Sequence, residues 1–553
     1  MESLFPVLDI SEESKEVQQK EFLARSSLIV LAGTLVSRIF GFFREMVVAA
    51  FFGNGSTVDA FRVAYMIPNI FLQLFSYSAI GSALIPVITK YMTRKDDEGV
   101  NIVLNSVANL LLLFFFSLMI IGIIFAPEMT RLMAPGFLRE SSKFHLTVAM
   151  TRVIFPTIVF LGMCHFTMGI LHLYNHFTAP AFAPVFFNLL VVLSIVTLRR
   201  DLGAMSLAIA IPIGAIAQLL FEIPFLRKRG WIYTFQLVWD HPGVKQIVLL
   251  ILPTVFSLAS IEINVLVDTR FASLLKSGSV AALHYAIPIY YMPMSLFAIT
   301  ISTVLFPRFS RHTALNDMAG LKKSYSFGLR TVFLIMMPAS VGLVVLANPI
   351  VRLLFERGAF DMNAVSATSF ALIFYAMGLT STSALHLTNR VFYSLEDTMT
   401  PTIITMIAIA VNYFGDWILS GPLLHGGIAL STSIVMTFNF CSLLLILRMR
   451  IGRLGWNTIL NTLGKVCAAS CILGISAYLS WRGIGYLAGE SLVGQIISVG
   501  SGIMVGIITY VITAKILNIR EISTFSKLLM TQLKNKKRSG KGGPYGTVPL
   551  DFG

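Results

Sequence analysis

Long apolar runs separated by short polar loops recur along the chain from residue 27 to residue 516. They cover residues 27–53, 58–90, 101–126, 146–172, 180–198, 203–226, 245–275, 279–306, 325–348, 363–390, 398–420, 425–448, 459–481 and 491–516. A helix needs about 20 apolar residues to cross the hydrocarbon of a bilayer. Single strands would leave backbone groups unpaired in lipid, and barrel strands would alternate apolar and polar positions. The pattern therefore predicts an all-α polytopic membrane protein with about fourteen transmembrane helices.

Orientation follows from Lys and Arg in the short loops, which favour the cytoplasmic side. One alternate set holds Lys90, Arg94, Lys95, Arg227, Lys228, Arg229, Arg308, Arg311, Lys322, Lys323, Arg448, Arg450 and Arg453. The C-terminal segment on the same side adds Lys534, Lys536, Lys537, Arg538 and Lys541. The opposite set is poorer, with Arg131, Arg139, Lys143, Arg199, Arg200, Lys276, Arg352, Arg357 and Arg482. Both termini are expected in the cytoplasm. Residues 1–26 are polar, lack the apolar region of a secretory signal, and read as a short cytoplasmic arm. Residues 517–553 read as a basic cytoplasmic tail ending in a Gly-rich run, 540–546.

A weak internal repeat is visible. Gly55-Ser56 leads to Ala64, Pro68 and Pro86, and Gly278-Ser279 leads to Ala286, Pro293 and Pro307. This suggests an N-lobe of six helices over 27–226 and a C-lobe of six over 227–448, with two further helices over 449–516. Such pseudo-repeated lobes are typical of transporters with a site between them.

Composition agrees. Hydrophobic residues make up 56% and charged residues 12% of 553, and the mean hydropathy is +0.79. Soluble domains are about 25% charged, so a cytosolic enzyme, a coiled coil, a disordered chain and a disulfide scaffold are all excluded. The net charge of +15 points to cytoplasmic loops and anionic membrane lipid, and not to nucleic acid. Cys164, Cys441, Cys467 and Cys471 sit in apolar runs and read as small buried hydrophobes. His172, His176 and His386 read as structural. No Walker A, GxGxxG or HExxH motif is present, so ATP-driven pumping by this chain alone is excluded.

Ionisable groups inside spans are costly and read as functional. Arg38 and Arg44 lie in the first span, about 9 Å apart along a helix and about 120° apart around it. Arginine forks bind phosphate bidentately, so a pyrophosphate head group is the ligand class they suit. The alternative pairs Arg44 with Glu45 or Asp59 for structure. A second set is Asp268 in the seventh span, Asn412 and Asp416 one turn apart in the eleventh, and Thr432 in the twelfth. Carboxylates, an amide oxygen and a hydroxyl are hard ligands suited to Na⁺ or another small cation. The alternative is that Asp416 pairs with a neighbouring helix for stability alone.

Several stretches resemble the MurJ/MviN family. They begin with Ser37-Arg38-x-x-Gly41-x-x-Arg44-Glu45, Phe52-Gly53-x-Gly55-x-x-x-Asp59-Ala60-Phe61 and Ile67-Pro68-Asn69. Ala134-Pro135-Gly136-Phe137, Pro180-Ala181-Phe182-Ala183-Pro184 and Phe271-Ala272-Ser273 followed by Gly278-Ser279 continue the match. Phe392-Tyr393-Ser394-Leu395-x-Asp397-x-x-Thr400-Pro401 completes it. The resemblance covers nearly the whole chain. It implies fourteen helices in two lobes around a central cationic cavity. It also implies a job: flipping lipid II, the undecaprenyl-pyrophosphate-linked peptidoglycan precursor, across the bacterial inner membrane for cell-wall synthesis.

On this resemblance Arg38, Arg44, Asp59 and Asn69 are substrate-binding positions. Asp268, Asn412, Asp416, Thr432 and the Ile428 carbonyl are a sodium site for a coupling ion, with no other cofactor. The last two helices form a groove for the lipid tail. The partners implied are lipid II or a related polyprenyl-pyrophosphate glycolipid, membrane lipid, and the cell-wall synthesis or division machinery. The sequence departs from the family where arginines are common: Leu72 and Pro288 stand in their place, and Tyr77 replaces a frequent acid. Arg62, Arg152 and Arg270 are the cations available to compensate. The rival readings are an exporter of another polyprenyl-linked glycan or of drugs, and a polytopic polyprenyl-phosphate glycosyltransferase.

Overall fold

The computed structural model describes residues 12–452, 454–519 and 521. Among the described residues every regular element is helical. In chain order the helices are α1 (Glu12–Phe52), α2 (Ser56–Leu74), α3 (Tyr77–Thr93), α4 (Asp97–Ile124), α5 (Ala126–Met133), α6 (Ser141–Ile154), α7 (Thr157–Leu173), α8 (Thr178–Leu202) and α9 (Met205–Arg227). They continue as α10 (Pro242–Ser273), α11 (Ser279–Pro293), α12 (Ile299–Ala314), α13 (Met318–Val345), α14 (Ala347–Phe355), α15 (Met362–Met377), α16 (Leu379–Ser394), α17 (Met399–Ile451), α18 (Trp456–Ala488) and α19 (Leu492–Ile516). Residues 1–11, Arg453 and the basic tail beyond residue 521 lie outside the described residues.

Ten helical segments among the described residues are long and apolar enough to cross a membrane, or eleven if the bent pair α15–α16, at 44°, is one span. This is fewer than fourteen. The differences lie at α1 and α10, which are not among the ten, and at α17. That helix carries two of the apolar stretches, joined where Leu424 takes φ 51° and ψ −137°. The chain reverses tightly there: a Cβ on Gly427 would collide with the Leu419 backbone, so the turn needs glycine.

An internal repeat is present, and from α4 onward four helix starts recur at an offset of 221 residues, two fewer than the spacing of Gly55 and Gly278. Asp97 of α4 corresponds to Met318 of α13, Ala126 of α5 to Ala347 of α14, Ser141 of α6 to Met362 of α15, and Thr178 of α8 to Met399 of α17. The turns match in detail. Lys95 and Asn316 both take the left-handed conformation. The next residue, Asp96 or Asp317, caps the following helix by accepting from the Gly99 or Gly320 amide, at 2.8 Å in both cases. Asn175 and Glu396 repeat the same left-handed turn before α8 and α17. Each closes with an amide reaching back five residues, as in a Schellman cap: Asp96 to Tyr91, Asp317 to His312, His176 to Leu171 and Asp397 to Phe392.

Packing divides the chain into two units. The first is Met1–Tyr285, Phe355–Ala367 and Asn412–Ile428; the second is Ala286–Leu354, Thr368–Val411 and Ala429–Gly553. In the first, α8 packs on α1 and α9, and α2 packs on α6. In the second, α13 packs on α16 and α18, and α18 on α19. Residues 27–226 all fall in the first unit, whereas 227–448 contribute to both.

Large apolar side chains face outward, among them Leu113, Phe116, Ile124, Leu479 and Ile507. On a soluble protein such a surface would be an anomaly; for a helix in lipid it is the solvent-facing side. The same logic corrects the cysteines. Cys164 is buried, but Cys441, Cys467 and Cys471 are exposed on their helices, because lipid gives a small apolar side chain no reason to point inward.

Candidate functional site

The first unit contains two buried ionic clusters, both anchored on α2. In the first, Glu45 of α1 is buried and accepts from Arg44 at 2.9 Å and from Arg62 of α2. The Arg62 guanidinium also lies 5.0 Å from the centre of the Tyr285 ring and 5.7 Å from that of Phe61. Tyr285 donates its hydroxyl to the Gly53 carbonyl at 3.0 Å. Two arginines share one carboxylate, so the cluster carries a net positive charge. Arg62 is fully sequestered, and Arg44 keeps one side accessible at 20% exposure.

In the second cluster, Asp59 is 1% exposed and paired with Lys143 of α6 at 2.7 Å. Its Oδ2 also accepts from the Gly278 amide at 2.7 Å, and its Oδ1 from the Ala281 amide at 2.8 Å. Lys143 reaches Ser277 as well, at 3.1 Å. Gly278 takes φ +90°, a conformation open to glycine, and this aims its amide at the carboxylate. Asp59 thereby ties α2 and α6 to the start of α11, where its charge complements the exposed amides of the helix N-terminus.

The other candidate substrate residues separate from these clusters. Arg38 is exposed on α1 and makes no side-chain hydrogen bond or ion pair among the described residues. Asn69 is half-buried on α2, just after Pro68. Of the possible compensating arginines, Arg152 is exposed and donates to the Ile123 carbonyl at 3.2 Å, and Arg270 to the Leu132 carbonyl at 3.0 Å.

The cation set is partly assembled. Asn412 Nδ2 donates to Asp268 Oδ1 at 2.6 Å. Asp416 is fully buried one helical turn further along α17, and Ile428 is buried in the same unit. Thr432 is half-buried and belongs to the second unit. No group of three or more His, Cys, Asp or Glu among the described residues is arranged to hold a metal.

The sequence reading missed Lys143, which it counted as a loop charge, and the Glu45–Arg62 pair. A signal existed for both. Asp59 and Arg62 lie inside an apolar stretch, and a buried charge needs a partner of opposite sign; which partner depends on helix packing that spacing does not reveal.

A family model described as Lipid II flippase MurJ matches residues 48–495. The chain belongs to the MurJ family of lipid II flippases. Among curated relatives of the family, a probable lipid II flippase MurJ from Buchnera aphidicola subsp. Acyrthosiphon pisum (strain APS) is 31% identical over 409 residues, covering 74% of this chain and 80% of the relative. One from Vibrio cholerae is 31% identical over 437 residues, covering 77% and 83%. Among solved structures, a lipid II flippase MurJ in an inward closed conformation matches with a TM-score of 0.74 and 26% identity, over 89% of this chain and 99% of that one. An inward-facing multidrug-resistance MATE transporter matches with a TM-score of 0.61 at 17% identity, over 77% of this chain and 98% of that one. That likeness is one of fold. The chain is thus a multi-span membrane protein with the fold shared by MurJ and MATE transporters.

Proposed function

We propose that this chain moves lipid II from the cytoplasmic to the outer leaflet of the bacterial inner membrane by alternating access, without catalysing a covalent step. The observation that carries this reading, beside family membership, is Arg38. It is a permanently charged fork in an apolar stretch, exposed and without a counter-ion among the described residues. A group that costly is kept for a ligand of opposite charge, and a pyrophosphate supplies one. Arg44, held from one side by Glu45, offers its free side to the same ligand.

The second unit supports the lipid half of the reading. An apolar groove of about 610 Å³ runs between α13, α18 and α19, lined by residues such as Leu334, Pro338, Leu343, Leu473, Gly506 and Ile507. Small residues on α19 leave the room, and a polyprenyl tail has no polar group for such a lining to reject. Asp268, Asn412 and Asp416, with Ile428 and Thr432, are read as a Na⁺ site that resets the carrier, and a proton on the carboxylates is the competing occupant. Both termini are cytoplasmic in this reading, and the partners are lipid II and the cell-wall assembly machinery.

The test is purified protein in liposomes carrying a head-group-labelled lipid II analogue, with an impermeant reagent destroying label in the outer leaflet. Wild-type protein should expose the inner pool and Arg38→Ala should not. Equal protection of the inner pool with and without wild-type protein overturns the proposal.

A further inference from the structure

The connection between α9 and α10 has no regular structure from Trp231 to Val238, yet it is held in detail by one helix. Asn105 of α4 donates to the Ile232 carbonyl at 3.4 Å and accepts from the Thr234 amide at 3.1 Å. Asn109 donates to the carbonyls of Thr234 and Gln236, at 3.1 and 2.9 Å, and accepts from the Tyr233 hydroxyl at 2.6 Å. Ser106 accepts from the Val238 amide at 3.0 Å. The Gln236 amide turns back to the Thr234 carbonyl at 2.9 Å, leaving Phe235 at the apex. The segment therefore runs along α4 from the level of Asn105 to that of Asn109, and returns to Ser106.

Two features are otherwise unexplained. Asn105, Ser106 and Asn109 are buried polar residues on the helix that carries the most apolar stretch among the candidate spans. The segment they hold also exposes Ile232, Phe235, Leu237 and Trp239, at 70%, 87%, 49% and 67%. Charge frames these apolar residues: Arg227, Lys228 and Arg229 precede them, and Asp240, paired with Lys245 at 2.9 Å, follows.

We propose that Trp231–Trp239 is a re-entrant strap that dips into the cytoplasmic leaflet beside α4, and that its outer face binds the acyl chains of the bilayer. Counting about 20 residues back from Ile124 puts the edge of the hydrocarbon near Asn105, and Asn109 lies about 6 Å deeper. Non-helical backbone is tolerated at such depth when protein groups pair its amides and carbonyls, which is what the three α4 side chains do. The flanking cations sit at head-group level, and Trp231 is fixed inside by an edge contact to Phe166 at 6.2 Å.

The test places a nitroxide at Phe235→Cys in full-length protein in phospholipid vesicles, with the four native cysteines replaced by Ala. Collision with oxygen and with a water-soluble nickel chelate is compared with labels at Lys95→Cys in a loop and Phe116→Cys on the lipid face of α4. Position 235 should resemble 116, with oxygen favoured; resemblance to 95 overturns the proposal. Adding Asn109→Leu should raise nickel access at 235 several-fold, and unchanged access overturns the role given to the α4 ladder. A measurement that keeps the native cysteines is Trp239→Phe, which should lower the quenching of tryptophan emission by chain-brominated phospholipid. Unaltered quenching also counts against the strap.

Discussion

Lys143→Met tests whether Asp59 is held by a buried partner or is available to a ligand. The two side chains are 5% and 1% exposed and 2.7 Å apart. Removing one member of a buried pair strands the other charge, at about 3–5 kcal/mol. The Asp59 carboxylate would retain the Gly278 and Ala281 amides, so about 3 kcal/mol, the lower end, is expected. Spread over a chain of 553 residues, that corresponds to a fall in Tm of about 2–3 °C, readable by thermal scanning of purified protein in detergent. Asp59→Asn alone strands the ammonium and should cost a similar amount. The double variant removes both charges and should recover about 1–3 kcal/mol relative to the sum of the singles. A Tm for Lys143→Met within a degree of wild type, or strict additivity in the double variant, would refute the clasp and return Asp59 to the head group.

Arg38→Ala should abolish flipping with Tm unchanged, because Arg38 makes no side-chain hydrogen bond or ion pair among the described residues, and Arg38→Lys should also impair transport because a point charge replaces a planar fork; transport assays beside thermal scans check both. Glu45→Gln should lower Tm by the equivalent of about 3 kcal/mol or more, since it leaves the buried Arg62 guanidinium without its counter-ion. Asp397, in the turn before α17, loses some ground to desolvation, but hydrogen bonds from Thr400 and the Arg450 charge prevail and hold its carboxyl below the ordinary 3.8. Its contribution is thus complete above about pH 4 and fades as pH falls through the lowered value; Asp397→Asn should flatten that acid limb of the Tm profile, and a profile unchanged in shape would count against the pairing. Gly506→Trp should fill the groove beside α13 and slow transport of full-length lipid II while sparing an analogue with a short tail, as a competition assay between the two would show.

Much of the fold was legible because apolar length and loop charge follow directly from the physics of a bilayer. The repeat was visible only faintly at Gly55 and Gly278. Its clearest marks are the capping aspartates Asp96 and Asp317, residues that look like ordinary loop acids until the turn geometry is seen. The count of spans was less legible, since α17 joins two apolar stretches through a single backbone reversal at Leu424. In the site, residue type announced Arg38 as costly but could not say that Arg62 belongs to Glu45 or Lys143 to Asp59, because those pairs join different helices. Asn105 and Asn109 signalled only a need for partners: an asparagine in an apolar helix does not reveal that those partners lie in a segment about 125 residues away in sequence.

The central claim is transport of lipid II, and the most direct measurement uses cells depleted of their own lipid II flippase. Lipid II in the outer leaflet is quantified with a membrane-impermeant head-group reagent. Expression of this chain should restore outer-leaflet lipid II and growth, while Arg38→Ala at equal membrane abundance should restore neither. Full-length protein present in the inner membrane with no lipid II reaching the outer leaflet would contradict the account.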